Sequence, residues 1–291
     1  MRRALLFALP IAVACVDAEV GADDPVVYDT AAQPTAPPAG PPLIALDVET
    51  DYACTLSSEG EIACTGDAPA AQQTPTQVGF RRIATGESAA CALDADGYAE
   101  CWGDIGPPPE VAFAELSMGR RHACGLTSEG WLHCWGDDFD SPISELPAQG
   151  FVDVHCAANA TCVALDDGAI FCAGSPFLMV NNLFPGGALV DISHEEMLGC
   201  GLTKGGVASC WGTADAERIA EQLARGEWVD LTVGRAHACV LDDAGEIFCE
   251  GRNNAGQTDA PAEVFVDVSA AGDRTCGLTP AGELICWGHT P

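Results

Sequence analysis

Cysteine spacing constrains this chain more than any other feature of its sequence. Fourteen of the 16 cysteines form seven pairs whose members are ten residues apart. The pairs are Cys54 with Cys64, Cys91 with Cys101, Cys124 with Cys134, Cys162 with Cys172, Cys200 with Cys210, Cys239 with Cys249, and Cys276 with Cys286. The first cysteines follow one another at intervals of 33 to 39 residues, and such a period indicates a repeat architecture. The chain therefore contains seven copies of one unit, and only Cys15 and Cys156 lie outside the pattern.

Glycine recurs at two positions in every unit, six residues after the first cysteine and two after the second. In the second unit, a three-residue loop ending at Gly97 gives that glycine the left-handed conformation that such hairpin loops require. The strands then oppose each other as Asp94 with Tyr98, Leu93 with Ala99, Ala92 with Glu100, and Cys91 with Cys101. The cysteines form a non-hydrogen-bonded pair with Cα atoms about 4.5 Å apart, within reach of a disulfide. Each pair can therefore close a disulfide across its own hairpin.

Reduced, buried thiols that act as small hydrophobic side chains are the alternative to disulfides. Zinc fits poorly, because structural zinc sites usually separate paired cysteines by only about two to four residues. Regular pairing in an exported chain favours seven disulfides.

The predicted fold class is all-β, a seven-bladed β-propeller with one intra-hairpin disulfide per blade. A unit of this length has the size of a four-stranded blade, and the second unit divides into strands near Thr76–Val78, Phe80–Ala84, Ala89–Leu93 and Tyr98–Trp102. An open β-solenoid with polar caps is the alternative. The last unit ends at Gly288 without the strand that follows the second cysteine elsewhere. We therefore expect Val26–Tyr28, or the stretch just before Leu43, to close the ring.

The N-terminal segment indicates export. Residues 1–14 form a predicted signal peptide, with Arg2-Arg3, an apolar run and the small residues Ala12-Val13-Ala14. Cys15 follows directly, so that the segment resembles a bacterial lipobox in which this cysteine is lipidated. Simple secretion is the alternative. Residues 15–42, rich in Ala, Asp, Thr and Pro, predict an extended tether, and residues 43–291 form the predicted propeller.

Charge excludes several classes of partner. The chain has 43 acidic and 12 basic residues and a net charge of −31, so that it repels nucleic-acid phosphates and anionic membrane surfaces. We therefore expect no nucleic-acid partner, and contact with a membrane only through a lipid anchor. The acidic residues fall largely in predicted loops, where a negative rim would steer cationic partners.

Several motifs resemble the repeat of the regulator of chromosome condensation family. Gly119–Leu126 and Gly234–Leu241 are similar to its repeat core, Cys-Trp-Gly recurs in four units, and Gly251–Gln257 is similar to its Gly-x-Asn-x-x-Gly-Gln turn. The resemblance extends over residues 43–288 and implies a seven-bladed propeller used as a binding platform. Shorter repeats and paired cysteines make the chain more similar to bacterial exported members, which include inhibitors that bind a secreted enzyme through the propeller face.

The histidines and the unpaired cysteine do not form a recognisable catalytic pattern. His122 and His237 each lie two residues before a first cysteine and are interpreted as repeat-core residues. His155-Cys156 could be an activated thiol, but other units place small or apolar residues at the position of Cys156, which favours a buried side chain. We therefore predict no catalytic residues, no metal site and no cofactor.

The sequence favours a non-enzymatic protein-binding scaffold, exported and lipid-anchored at Cys15 at the outer membrane or cell surface, or otherwise secreted. We expect a monomer whose partner is a protein at the cell surface or outside. A structural envelope component and a carbohydrate-active enzyme that uses loop carboxylates are the alternatives. Clustered histidines and carboxylates on one loop face would favour the enzyme, and a broad apolar patch would favour the scaffold.

Overall fold

The computed structural model describes residues 43–136, 150–165, 167, 169–174, 182–183 and 189–289. The predicted signal peptide, Cys15, the tether and Val26–Tyr28 lie outside these residues, and those predictions stay predictions.

The described residues form seven antiparallel sheets, each made of strands that follow one another along the chain. Blades 1 to 3 contain β1 (Leu43–Val48), β2 (Tyr52–Ser57), β3 (Ile62–Gly66); β4 (Phe80–Thr85), β5 (Ala89–Asp94), β6 (Ala99–Gly103); and β7 (Glu115–Met118), β8 (His122–Leu126), β9 (Leu132–Gly136). Blades 4 and 5 contain β10 (Phe151–Ala157), β11 (Ala160–Leu165), β12 (Ala169–Ala173), β13 (Asn182–Leu183); and β14 (Leu189–Glu195), β15 (Leu198–Thr203), β16 (Ala208–Trp211). Blades 6 and 7 contain β17 (Asp230–Val233), β18 (His237–Leu241), β19 (Ile247–Gly251); and β20 (Asp267–Ala271), β21 (Arg274–Leu278), β22 (Leu284–Gly288). Helices α1 (Pro69–Gln72) and α2 (Ala216–Leu223) lie in the connections after blades 1 and 5.

The blades form a closed ring, as predicted. The first strand of each blade, here called the inner strand, contacts the inner strand of the next blade, and β20 contacts β1. Hydrogen bonds join the two ends, because the backbone N–H of Leu46 donates to Asp267 Oδ2 at 2.8 Å and that of Val48 donates to Ser269 Oγ at 3.2 Å. The open solenoid is therefore excluded.

The expectation of a fourth strand in every blade is wrong. The sequence suggested four strands in every blade, but among the described residues only blade 4 has a fourth strand. Thr76–Val78 is not a strand, and the connection that contains it begins with α1, which packs against β3. A helix or loop over a sheet edge protects that edge as a fourth strand would. Packing of β1 on β20 and β21 joins the last blade to the first.

All seven predicted disulfides are present, one in each hairpin. They join Cys54 with Cys64, Cys91 with Cys101, Cys124 with Cys134, Cys162 with Cys172, Cys200 with Cys210, Cys239 with Cys249, and Cys276 with Cys286. Their Cα–Cα distances are 4.0 to 4.1 Å, as expected for non-hydrogen-bonded cross-strand pairs. Reduced thiols at these fourteen positions are therefore excluded.

The two cysteines of a pair differ in burial, which the sequence did not indicate. The first cysteine lies on the middle strand of its blade and is fully buried in every unit. The second lies on the third strand, farther from the ring centre. It is buried in blade 4 and half-buried in the other six blades, at Cys64, Cys101, Cys134, Cys210, Cys249 and Cys286. In six of the seven blades the disulfide therefore connects the core of the blade to a more accessible third strand.

The hairpin register in blade 2 is the predicted one. Cys91 lies opposite Cys101, and Leu93 lies opposite Ala99. Gly97 has a φ of 92°, the left-handed conformation that the loop requires.

The hydrophobic core lies between neighbouring blades. Leu93 and Ala84 of blade 2 pack against Phe113, Met118 and Trp135 of blade 3, and equivalent clusters recur around the ring. Because each blade buries its apolar face against the next, the inner strands are fixed around a common channel.

Candidate binding face and acidic channel

Two faces of the propeller are distinguished by their turns. One face, here called the hairpin face, contains the starts of the inner strands and the turns between the second and third strands of each blade. The opposite face carries the turns between first and second strands. Neighbouring blades are joined on the hairpin face, because the N–H of Phe113 in blade 3 donates to the carbonyl oxygen of Gly97 in blade 2 at 2.8 Å. Turn residues of one blade therefore lie beside the inner-strand start of the next.

The inner strands of all seven blades enclose a channel of about 530 Å³. Its lining includes nine carboxylates and three arginines, namely Asp47, Glu49, Asp51, Glu87, Asp153, Asp191, Glu195, Glu196, Asp230, Arg82, Arg120 and Arg235. The sequence predicted a negative rim built from loops, and the structure differs because Asp47, Asp153, Asp191 and Asp230 lie on inner strands. The sequence did not predict that these carboxylates lie together.

Side chains near the middle of the inner strands connect the blades. An oxygen or nitrogen acceptor in one blade takes a hydrogen bond from a backbone N–H of the next blade. These bonds are Asp47–Thr85, Ser117–Cys156, His155–His194, Ser193–Val233, Thr232–Ala270 and Ser269–Val48, with lengths of 2.8 to 3.3 Å. Blade 2 has Ala84 at this position and no acceptor. An inner strand pairs on one side only, so these side chains satisfy N–H groups that no strand reaches.

Blades 4 to 7 all carry aspartate at the position two residues before this acceptor, closer to the hairpin face. These residues are Asp153, Asp191, Asp230 and Asp267, here called the aspartate arc. All four are half-buried. Asp153 and Asp267 each accept a backbone N–H of the next blade at 2.8 Å. Asp153, Asp191 and Asp230 line the channel at its hairpin-face end, here called the channel mouth.

Burial and mutual repulsion make the aspartate arc costly to ionise. Burial raises the pKa of Asp153 to about 6 and, with the charge of Asp230, raises that of Asp267 to about 8. The pKa of Asp191 is raised well above its usual value by burial and by the neighbouring charges of Asp153 and Asp230. Burial also raises the pKa of Asp230. A nearby positive charge would oppose each of these shifts.

The other side of the same channel mouth already contains such a charge. Arg82 in blade 2 occupies the position that corresponds to the arc, and its Nη2 lies 2.6 Å from Oε1 of Glu115 in blade 3. Among the described residues, no ion pair is formed by any member of the aspartate arc.

Exposed apolar side chains concentrate on the hairpin face. Val152, Val229 and Val266, which directly precede three members of the aspartate arc, are 44%, 60% and 49% exposed. Ile44, Val78, Tyr98, Trp131, Val207 and Val264 are further exposed apolar residues at inner-strand starts or hairpin turns. Among the described residues, the opposite face contributes one large exposed apolar side chain, Met197. The hairpin face therefore carries most of the large exposed apolar side chains of the described residues.

A sequence signal for this surface exists in blades 4 to 7. Their inner strands begin Phe151-Val-Asp-Val, Leu189-Val-Asp-Ile, Trp228-Val-Asp-Leu and Phe265-Val-Asp-Val. In each of these strands the first residue is large and apolar and the fourth is aliphatic. The Val-Asp pair between them was not recognised. In blade 4 it lies at a β-bulge between Phe151 and Asp153.

The structure supports the core interpretation of the histidines and of Cys156. His122 Nε2 lies 2.9 Å from Thr161 Oγ1, and His237 Nε2 lies 2.8 Å from Thr275 Oγ1, each across a blade junction. Cys156 is 2% exposed, and burial raises the pKa of its thiol to about 12. Ligand atoms of His122, Cys124 and Cys156 lie within 4.8 Å of one another, but Cys124 is bonded to Cys134 and cannot offer a thiolate.

The opposite end of the channel also carries carboxylates, but these have cationic or backbone partners. Glu196 pairs with Arg235 at 3.8 Å and Glu87 with Arg120 at 3.3 Å. Glu195 Oε2 accepts the N–H of Gly272 at 2.8 Å. Among the described residues, no helix has the length and apolarity needed to cross a membrane.

Comparison with known proteins agrees with this architecture. Residues 113–141 match the family model of the regulator of chromosome condensation (RCC1) repeat. No curated protein matches the sequence. The CRINKLY WD40 ectodomain of the Arabidopsis thaliana receptor kinase ACR4 superposes with a TM-score of 0.68 at 21% identity, over 85% of this chain and 95% of that chain.

Two further crystal structures share the fold. Human WBSCR16 has a TM-score of 0.66 at 12% identity, over 86% of this chain and 88% of that chain. Prp20p from Saccharomyces cerevisiae has a TM-score of 0.63 at 13% identity, over 79% of this chain and 80% of that chain. At such identities the likeness shows the fold. The chain is a seven-bladed propeller built from RCC1-like repeats.

Proposed function

We propose that this chain is a non-enzymatic scaffold that binds another protein through its hairpin face. The observation that carries the proposal is the concentration of exposed valines and aromatic residues on that face. Contiguous exposed apolar side chains mark interaction sites on soluble proteins. Loops and strand ends on a rigid frame are also where binding residues concentrate, and seven disulfides make this frame rigid.

The channel carboxylates favour binding over catalysis. A general acid or base needs freedom to exchange its proton with a substrate. Asp47, Asp153 and Asp267 instead accept backbone N–H groups that join adjacent blades. These three carboxylates join adjacent blades, which is a structural role within the fold.

Export and lipid anchoring complete the proposal. Seven disulfides are typical of an oxidising compartment outside the cytosol. The signal-like residues 1–14, the lipobox-like Cys15 and the Pro-rich residues 15–42 suit a monomer tethered at the bacterial cell envelope. Metabolic labelling with a fatty-acid probe tests the anchor, with Cys15→Ser as the control. An unlabelled wild-type chain would leave a secreted protein.

Affinity capture from an envelope extract tests the binding face. The wild-type propeller is compared with the double variant Val152→Ser/Val229→Ser, and Met197→Ser serves as the matched control on the opposite face. We expect a protein that wild type and Met197→Ser retain and the double variant loses. Equal retention by all three proteins, or no retained protein, would contradict the proposal.

A further inference from the structure

The Val-Asp pairs of blades 4 to 7 place two different chemistries side by side on the hairpin face. In each pair with a described valine, that valine is exposed and the following aspartate is half-buried. The hydrogen bond that the Ile192 N–H donates to Asp153 Oδ2 explains why an aspartate joins the blades. It does not explain an exposed valine beside it, because an exposed polar residue would leave the same bond intact.

The aspartate arc brings four acidic side chains together without an ion-pair partner among the described residues. On the other side of the mouth, the Arg82–Glu115 pair at 2.6 Å shows what this ring position accommodates, namely a guanidinium between two neighbouring blades. Asp191 and Asp230 are the corresponding neighbours in blades 5 and 6, and both are acidic. Asp191 feels the negative charge of Asp230 on one side and of Asp153 on the other.

Each carboxylate of the arc keeps acceptor capacity. A carboxylate oxygen accepts more than one hydrogen bond, and Asp191 forms no bond to the next blade among the described contacts. A cation entering here loses less water than in a closed cavity, because the mouth opens on the hairpin face. Charge-assisted bonds in such a partly buried setting are stronger than those between neutral groups.

We propose that the hairpin face binds a protein segment in which a lysine or arginine is flanked by apolar side chains. The cationic group enters the channel mouth beside Asp191 and Asp230, and the apolar side chains contact Val152, Val229 and Val266. The occupant follows from charge complementarity, since the mouth is acidic and its border is apolar. The inference rests on the proposed function and adds the chemistry of the partner.

Short synthetic peptides test this chemistry directly. One set carries a central lysine or arginine between valines and leucines, and two matched sets replace the basic residue with norleucine or glutamate. Binding to the full propeller is measured by fluorescence anisotropy at low and at physiological ionic strength. We expect the basic peptides to bind at least about tenfold more tightly than the norleucine peptides, as charge-assisted contacts allow, and the difference to shrink with added salt.

Variants of the propeller separate this inference from the proposed function. Asp191→Asn and Asp230→Asn should each weaken the basic peptides several-fold without changing the norleucine peptides, whereas Glu196→Gln on the opposite face should leave both unchanged. Val229→Ser should weaken every peptide that binds. Equal binding of basic and norleucine peptides, with loss in Val229→Ser, would overturn the cationic partner and leave the docking face standing. Failure of all basic peptides to bind, or binding unaffected by Val229→Ser, would overturn the inference as well.

Discussion

Asp153 in the inner strand of blade 4 accepts a hydrogen bond of 2.8 Å from the backbone N–H of Ile192 in blade 5. The same relationship joins Asp267 to Leu46, and thereby the last blade to the first. A closed propeller thus depends on polar side chains at its centre as well as on the apolar packing between blades. These carboxylates stabilise the ring through hydrogen bonds and destabilise it through electrostatic repulsion of one another.

Removing the Asp153 acceptor should destabilise the ring more than removing Asp191. Asp153→Ala leaves the Ile192 N–H without its side-chain acceptor, which costs about 1 to 2 kcal/mol. Asp191→Ala removes electrostatic repulsion and, among the described contacts, no hydrogen bond to the next blade, so it should destabilise the protein less. Asp153→Asn keeps an acceptor oxygen and should recover most of the loss. Denaturant unfolding monitored by tryptophan fluorescence gives the three values, and equal destabilisation by both alanine variants would refute the role of the bond.

The gap at Ala84 predicts a stabilising substitution. Six of the seven blade junctions have an acceptor at this position, and blade 2 has Ala84 instead. Ala84→Ser supplies a hydroxyl of nearly the same size and should raise the stability by about 0.5 to 1 kcal/mol. Ser193→Ala, which removes the bond to Val233, should lower it by a similar amount. Differential scanning calorimetry measures both, and a loss of stability in Ala84→Ser would show that the hydroxyl finds no partner there.

Sequence alone predicted the seven hairpins, their disulfides and the ring, because residues that recur at a fixed spacing indicate the same backbone geometry in every unit. The pairing of Cys91 with Cys101 and the left-handed Gly97 followed from alternation along a hairpin. The number of strands per blade did not follow, because the connection through α1 protects the edge of β3 without a strand. The aspartate arc was also missed, since Val152-Asp153 has the composition of an ordinary strand start. Its position at a channel mouth emerges only when seven units close into a ring.

Cys156 should resist alkylation in the folded protein. Its side chain is 2% exposed, and burial raises the pKa of the thiol to about 12, so that little reactive thiolate forms at neutral pH. Iodoacetamide under native, non-reducing conditions should leave it unmodified, and denaturant should make it reactive. Peptide mass spectrometry locates the adduct. Rapid modification of the native protein at Cys156 would mean that the junction between blades 3 and 4 opens.

The disulfides should each contribute to the stability of the propeller. The double variant Cys91→Ala with Cys101→Ala opens an eleven-residue ring, which should cost about 2 to 3 kcal/mol in the chain-entropy estimate. Reduction of the wild-type propeller should add fourteen hydrogens to its intact mass, two for each of the seven disulfides. A different mass gain would revise the pairing, and an unchanged unfolding midpoint in the double variant would remove the stabilising role.

Stability should fall as the pH rises above neutrality. Burial raises the pKa of Glu49 and of Asp267 to about 8 and that of Glu195 to about 7. A carboxyl with a raised pKa in the folded state stabilises the fold below its unfolded pKa, and this contribution is lost as the pH rises through the folded pKa. The buried histidines His155, His194 and His237 have lowered pKa values and act in the opposite direction, but only below about pH 6.5.

The window from about pH 6.5 to about pH 8.5 therefore isolates the carboxylates. The thermal midpoint should fall across it by a few degrees, because each kcal/mol corresponds to about 2 to 4 °C in a chain of this size. Glu49→Gln removes one of the responsible groups and should flatten the decline, whereas Glu196→Gln, on an exposed side chain of the same channel end, should not. Calorimetric scans of the three proteins at matched ionic strength decide the matter. A midpoint that rises with pH in the wild-type protein would show that these carboxylates are ionised in the folded ring and stabilised by it.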